Sequence, residues 1–263
     1  MSILNIREPD GSVVKLEYHD TLPSTANLAR FYAKAGYPDR YVVFAENKTS
    51  PDGKGAQVPG VYLSCLLRPS LFPSQATFLS SLATVAAVTA LEEHTTKKLG
   101  IGWISTVYCD GKIIGSISIE GKLDGNSYEY ILVNFSLALN KNDFPPRLTD
   151  IIKKVFEKDN NSVPMIIGKN IISKFFLLYS NMKNTAKFMD TYRKKFILRG
   201  KFIKKLELDG KKTKYKVLGI EDKNVSLLVE DRYGRVLNLS SPKSVILPKK
   251  VKLPKKVKLP KEV

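Results

Sequence analysis

The sequence is short of histidine, cysteine and acid, and it lacks any long apolar run; each shortage closes off a class of function. Only His19 and His94 are present among 263 residues. A Ser-His-Asp triad or a histidine-based metal centre would have to be built on one of those two. No CxxC or HExxH spacing and no acidic cluster supplies the rest of a centre, so no metal site is expected. His94 closes an apolar helical stretch, where it suits the negative end of the helix dipole. Cys65 and Cys109 both sit in apolar surroundings. Two cysteines cannot frame a disulfide scaffold of this size, which points to a reducing, cytoplasmic compartment. No stretch of about 18 apolar residues occurs, so no membrane-spanning helix is expected. No charged start followed by an apolar run marks a signal peptide.

What is abundant is positive charge. The chain carries 43 Lys and Arg against 25 Asp and Glu, a formal +18. The excess is uneven: residues 201–263 hold 18 bases and 7 acids. Such a surface favours an acidic macromolecule, RNA or a ribosome or an acidic protein, as partner; a merely solvated basic surface is the other reading. The last residues repeat at six-residue spacing (Val245-Ile-Leu-Pro-Lys-Lys, Val251-Lys-Leu-Pro-Lys-Lys, Val257-Lys-Leu-Pro-Lys-Glu). A proline in every repeat forbids helix and the lysines resist packing, so residues 249–263 read as an extended tail. Lys249, Lys250, Lys252, Lys255, Lys256 and Lys258 are its polyanion-binding candidates, and a solubilising tail is the alternative.

Alternation over residues 12–18 predicts a strand, and helical spacing of Leu28, Phe31 and Tyr32 behind Ser24 predicts a helix over 24–35. Tyr41–Ala45 and Val61–Leu67 read as buried strands, with a Gly/Pro-rich loop from Lys48 to Gly60 between them. Residues 73–94 form a long apolar helix. Residues 101–107 and 112–120 read as paired strands around a Cys-Asp-Gly turn. Residues 130–139 are a strongly apolar strand, followed by helices over 148–157 and from 168 through 188 towards 199. After Gly200 the pattern becomes short strands with turns at Asp209-Gly210 and Tyr233-Gly234, the signature of a small β-barrel or sandwich. The chain thus divides into a core domain, residues 1–199, a small β-domain, 200–248, and the tail.

Few residues suggest chemistry by themselves. Asp52-Gly-Lys-Gly-Ala could cradle phosphate through its backbone amides and Lys54, or could be a flexible surface loop. Cys109 is conceivable as an acyl-carrying nucleophile, but no histidine lies near it in sequence, and an inert hairpin cysteine is the plainer reading.

Taken in order, several stretches resemble the biotin-protein ligases and their lipoate-ligase relatives, over roughly residues 18–247. Leu22-Pro-Ser-Thr-Ala-Asn-Leu-Ala is similar to the family's Asp-Ser-Thr-Asn segment ahead of a helix. Phe44-Ala-Glu-Asn-Lys-Thr resembles the strand entering the nucleotide loop. Gly60-Val-Tyr-Leu-Ser-Cys-Leu-Leu-Arg-Pro-Ser-Leu and the following helix are the most family-like stretch. Gly102-Trp-Ile-Ser-Thr-Val-Tyr-Cys-Asp-Gly-Lys-Ile-Ile-Gly aligns without gaps to the family's Lys-Trp-Pro-Asn-Asp hairpin, and Tyr192 through Leu247 resembles the C-terminal domain. The resemblance begins at the catalytic core, so no counterpart of the repressor-type DNA-binding domain is expected.

The resemblance implies an α+β fold: a mixed-sheet ligase core with a small SH3-like C-terminal β-barrel. It also implies a two-step reaction, in which ATP with Mg activates the carboxylate of biotin or lipoate and an acceptor lysine then attacks. On that reading Ser24, Thr25, Gly53, Lys54, Gly55, Trp103 and Gly115 bind ATP or the acyl group, and the partner is a biotin acceptor domain. The motifs depart from the family's. Gly-Arg-Gly-Arg becomes Pro51-Asp-Gly-Lys54, placing an acid where phosphate would sit and a lysine in place of a bidentate arginine. The stretch from Gly55 to Gly60 is about five residues short. Lys-Trp-Pro-Asn-Asp becomes Gly102-Trp103-Ile104-Ser105-Thr106. Gly-Ile-Gly-x-Asn becomes Asn134-Phe135-Ser136-Leu137-Ala138, and side chains in place of glycines narrow the pocket. The catalytic lysine falls on Ile113 in the ungapped register, or on Lys112 if the pattern Lys-x-x-Gly-Ser is followed; on a strand that single step turns the side chain to the other face. Two functions follow: a non-catalytic relative that binds a macromolecule, with no cofactor of its own, or an active biotin-protein ligase using biotin and ATP.

Overall fold

The computed structural model describes residues 2–8, 10–49, 57–69, 71, 73, 76–139, 162–221 and 223–252. The loop candidates Gly53, Lys54 and Gly55, the tail lysines Lys255, Lys256 and Lys258, and the helix expected over 148–157 lie outside the described residues.

Eight strands build the core sheet: β1 (Ser2–Arg7), β2 (Val13–Leu22), β3 (Tyr41–Lys48), β4 (Val58–Leu67), β5 (Leu99–Gly102), β6 (Thr106–Cys109), β7 (Lys112–Asp124) and β8 (Ser127–Ala138). Their order is β1-β2-β3-β4-β8-β7-β6-β5. The sheet is mixed, because β2 runs parallel to β3 while the other neighbours are antiparallel. Helix α1 (Thr25–Lys34) makes the crossover between the parallel pair. It starts at Ser24, whose hydroxyl accepts the amide hydrogen of Asn27 at 3.1 Å and so answers an orphan donor of the first turn.

Strand periodicity sorts the sheet into two unlike faces. Val42, Phe44, Val61, Leu63, Cys65, Val133, Phe135 and Leu137 project to one side. They meet α2 (Ala76–Glu92), α3 (Val163–Ser180) and α4 (Thr185–Lys195) in a single apolar cluster. Helix α2 is apolar around its whole circumference because it is buried there. On the other side α1 covers only part of the sheet, packing Ala29 and Ala33 on Tyr41, Val43, Leu66 and Leu132. Beyond α1 this second face turns polar, and the site lies there.

Three details differ from the sequence reading. An edge strand, β1, precedes the first expected strand; its side chains are mostly exposed, so it lacks the apolar alternation that marks a strand. The expected strand over 101–107 is two strands, β5 and β6, joined through Trp103–Ser105, because Ser105 turns back to bond β7: its hydroxyl donates to the Ile117 carbonyl, and its own carbonyl accepts the Ile117 amide at 2.9 Å. The helix expected from 168 past 188 is broken into α3 and α4 at Asn181–Asn184. There the Asn181 side-chain NH₂ donates to the Leu177 carbonyl at 2.9 Å, satisfying the helix end locally.

The C-terminal domain is a five-stranded antiparallel sheet: β9 (Phe202–Leu206), β10 (Lys212–Ile220), β11 (Leu227–Glu230), β12 (Val236–Leu239) and β13 (Val245–Ile246), in the order β12-β11-β10-β9-β13. Its core, with Ile203, Val217, Leu227 and Val229, is continuous with Trp103 and Tyr108 of the first domain. The chain does not leave the surface at Pro248. The Pro248 carbonyl accepts from the Tyr108 hydroxyl at 2.8 Å, and the Val251 amide donates to the Gly111 carbonyl at 2.7 Å. Lys250 pairs with Lys112 across an antiparallel bridge. Val251 is 4% exposed. Residues 248–252 thus strap the β6–β7 hairpin. Gly111 permits this at φ +77°, where an added Cβ would stand 2.0 Å from the Val251 carbonyl oxygen.

Candidate functional site

Where α1 ends its cover, the first turn of the helix, the end of β3 and the middle of β4, β7 and β8 enclose a cavity of about 140 Å³. Its walls are Leu22, Ser24, Thr25 and Ala26 from the α1 entry, Lys48 from β3, Tyr62 from β4, Ser118 from β7, and Asn134 to Ser136 from β8. Ser24 and Thr25 therefore line this cavity. Their hydroxyls are committed elsewhere: Ser24 caps α1, and Thr25 accepts from the buried Ser64 hydroxyl at 2.8 Å.

Asn134 and Ser136, standing where the family pattern has glycine, bring side chains into the cavity. Asn134 is 9% exposed, and its side-chain NH₂ donates to Glu120 at 3.1 Å. Glu120 in turn accepts three bonds from Arg30 of α1, from Nη2 at 2.7 and 2.8 Å and from Nε at 3.2 Å. The three residues form a clamp between helix and sheet. Phe135 points the other way, edge-on to Phe175 in the core. It is Asn134, not Phe135, that takes up the space.

The helix behind this wall is held by a second polar group. Glu17, 1% exposed, accepts from Tyr41 at 2.6 Å, Tyr32 at 3.0 Å and His19 at 2.6 Å. Burial pushes its carboxyl upward, but the Tyr41, His19 and Tyr32 bonds and the charge of His19 outweigh it and leave the pKa below the usual value. Burial and the bond to this carboxylate push Tyr32 up to about 12.

The remaining candidates lie elsewhere. Lys112 and Ile113 line a second, larger cleft of about 470 Å³ with Val58, Pro59, Cys109, Ile114, Ala138 and Leu139. None of these residues borders the first cavity. A bulge in the β6–β7 pairing falls at this point, between the Val107 and Tyr108 positions. Both side chains are exposed. Gly115 pairs with Val107 and Leu137 inside the sheet and borders neither space. Trp103 is 2% exposed and donates its indole N–H to the Val225 carbonyl at 2.6 Å, so it joins the two domains. Lys249, Lys250 and Lys252 are exposed on the strap. Among the described residues no group of acids, histidines and cysteines could hold a metal ion, and no helix is long and apolar enough to cross a membrane. Sequence reasoning missed Arg30, Lys48, Tyr62, Ser118 and Glu120. The β3–β4 register shifts between Ala45 and Asn47, so alternation alone does not set Lys48 and Tyr62 together, and the Arg30–Glu120 pairing, 90 residues apart, leaves no local signal.

No family model matches the chain. It is 30% identical over 144 residues to the bifunctional ligase/repressor BirA of Bacillus subtilis, covering 52% of this chain and 44% of that protein. To BirA of Bacillus spizizenii it is 24% identical over 156 residues, covering 56% and 48%. The chain thus spans about half the length of these curated relatives. Among solved structures, biotin protein ligase from Aquifex aeolicus superposes with a TM-score of 0.63 at 18% identity, covering 88% of this chain and 96% of that one. A biotin protein ligase-like protein of unknown function from Silicibacter sp. superposes at 0.60 with 15% identity, covering 86% and 94%. These likenesses establish the fold: both the mixed-sheet core and the C-terminal sheet have their counterparts in a biotin protein ligase.

Proposed function

On the premise that this chain belongs to the biotin-protein ligase family, we propose that it is a non-catalytic member, which uses the scaffold to hold an acidic macromolecule. One observation carries this reading: Asn134, tied to Glu120 and Arg30, occupies the sheet cavity and leaves about 140 Å³. That is about half of the ~300 Å³ at which pockets for drug-sized ligands begin. Adenylate formation also needs cations placed where the leaving pyrophosphate gains charge. In the ungapped register the catalytic lysine is Ile113, and Lys112 lines the other cleft. Loss of several groups that act together removes nearly all rate enhancement.

The test is turnover: the purified chain with biotin, ATP and Mg is expected to release no pyrophosphate above the protein-free rate. Release that disappears in Lys112→Ala would instead establish the active-ligase reading, with Lys112 as the phosphate-facing cation and a biotin acceptor as partner.

For the macromolecule, the best-matched chemistry is RNA. Phe202 is 52% exposed on the outer face of β9, with Lys214 Nζ 4.0 Å from its ring centre. The β9–β10 register sets Lys204 opposite Lys214, and Lys216 opposite Phe202. An exposed ring among lysines offers stacking together with phosphate contacts.

A further inference from the structure

The strap sets two lysines side by side. Lys112, the first residue of β7, and Lys250 pair across an antiparallel bridge. The bonds flanking the bridge run from the Ile113 amide to the Lys249 carbonyl at 3.4 Å and from the Val251 amide to the Gly111 carbonyl at 2.7 Å. Lys112 and Lys250 thus exchange no backbone bond with each other. That is the closer of the two antiparallel pair types, with Cα atoms about 4.5 Å apart. Like charges set directly opposite in this way destabilise a pairing. Neither lysine makes an ion pair among the described residues. The acid of the adjoining turn, Asp110, accepts from the Lys98 amide at 3.0 Å. Both lysines are exposed, and so are Lys249 and Lys252 beside them.

The backbone gives the pair no room to separate. Val251 is buried in the apolar cluster with Trp103 and Tyr108, and Tyr108 holds the Pro248 carbonyl. These anchors on either side keep two ammonium groups together against their repulsion. An anion set between them turns that repulsion into two attractions. The pair is also continuous with the basic sheet. Ile246 of β13 lies opposite Lys204 of β9. Only four residues of chain lead from Ile246 to Lys250, a reach of at most about 14 Å.

We propose that the Lys112–Lys250 pair is a second phosphate site on a single RNA track, which runs from the outer face of β9 and β10, past β13, to the strap. This rests on the reading that the basic sheet holds RNA. Phe202 stacks a base at one end of the track, and the lysine pair grips the backbone at the other. A contact made to phosphate alone fixes position and carries no sequence information. Lys112 therefore serves the backbone of a polynucleotide rather than the phosphates of ATP. Binding forms only ion pairs and hydrogen bonds, so no covalent bond is made or broken.

The probes are two oligouridylates, of about 4 and about 16 nucleotides, the limits of an ordinary single-strand footprint, with polyglutamate as the acidic polypeptide control. The full chain is titrated with each. The longer strand is expected to bind more tightly, because it reaches both ends of the track. Lys112→Gln and Lys250→Gln should each weaken the longer strand by about fivefold or more and make its salt slope shallower by about one, while changing the shorter strand by less than about twofold. Without RNA, the thermal midpoint of either variant should equal or exceed the parent's, because the opposed charges are gone. The two lysines lie on different segments, so a folding defect in one variant leaves the other to decide. Equal binding of the two lengths overturns the track, as does equal weakening of both or an unchanged longer strand in the variants; RNA then stays on the β9–β10 face alone. Polyglutamate bound as tightly as the longer strand, with the same loss in the variants, makes the occupant an acidic protein and overturns the proposal. If neither oligouridylate binds the parent, the RNA reading of the basic sheet falls as well.

Discussion

Asn134 is one side chain with two consequences. It removes space from the cavity, and it gives Glu120 and Arg30 a third partner. Asn134→Gly separates the two, because Glu120 keeps its bonds to Arg30 while the cavity opens. Strand glycine costs about 0.5–1 kcal/mol, partly offset by deleting Asn134 Oδ1, a buried oxygen with no donor among the described residues. Biotin affinity, measured by calorimetry, is expected to rise at least tenfold over the parent. Equal affinity would mean that the size of the cavity is not what excludes biotin. Glu17 makes a prediction of a different kind. Its folded-state pKa lies below the ordinary value, through the Tyr41, His19 and Tyr32 bonds that outweigh burial. Its unfolded value is about 4.3. The stabilisation is therefore complete above that pH and is lost as pH falls through the folded value. Glu17→Gln is expected to cost about 1–3 kcal/mol near neutrality and to flatten the acid side of a stability-versus-pH curve. A variant with the parent's acid limb would show that Glu17 does not produce it. The exchange of glycine for Asn134 was legible in the sequence, because it breaks a compact motif. The Glu17 cluster was not, because its four members come from β2, α1 and β3 and meet only when α1 crosses over.

At the scale of elements, the sequence was legible where burial imposes a period and illegible where a local bond overrides it. Strands β3, β4 and β8 are found by their continuous apolar runs, and helix α1 by its apolar spacing and the Ser24 cap. The break between α3 and α4 is hidden because apolar residues continue on both sides while Asn181 caps the helix end. The strap is hidden for a related reason: its sequence is the same Lys/Pro repeat as the residues beyond it, and only the contact with Gly111 and Tyr108 distinguishes it. Burying a valine side chain is worth about 1.5–3 kcal/mol, and each net hydrogen bond about 0.5–1.5 kcal/mol. Shortening the chain to end at Leu247 removes Val251 and the bonds of Pro248, Lys249 and Val251, and is expected to lower stability by about 2–4 kcal/mol, allowing for non-additivity. In a chain of this size the thermal midpoint should drop by roughly 5–10 °C. Ending at Lys252 keeps the strap and should leave the midpoint unchanged. Equal midpoints for the two truncations would show that the strap contributes nothing.

Across the whole molecule, the two domains divide the work that charge and burial can do. Trp103 bonds to Val225 of the C-terminal domain and, with Tyr108, joins that domain's apolar cluster, so the basic sheet is packed against the first domain. Lys204, Lys212, Lys214 and Lys216 alternate outward along β9 and β10 around Phe202. Glu230 forms an ion pair with Lys216 at 3.4 Å. A face of this kind binds polyanions by releasing counterions, so affinity must fall steeply with salt. The expected measurement is a linear plot of log affinity for single-stranded RNA against log salt. Lys204→Gln and Lys214→Gln should each make that slope shallower by about one while leaving sequence preference unchanged. Phe202→Ala acts differently, because stacking is not ionic: it should weaken binding by about 1–3 kcal/mol with the slope retained. A flat salt dependence in the parent would remove RNA as the partner of this face. A steep slope that neither lysine alters would place RNA on some other surface of the protein.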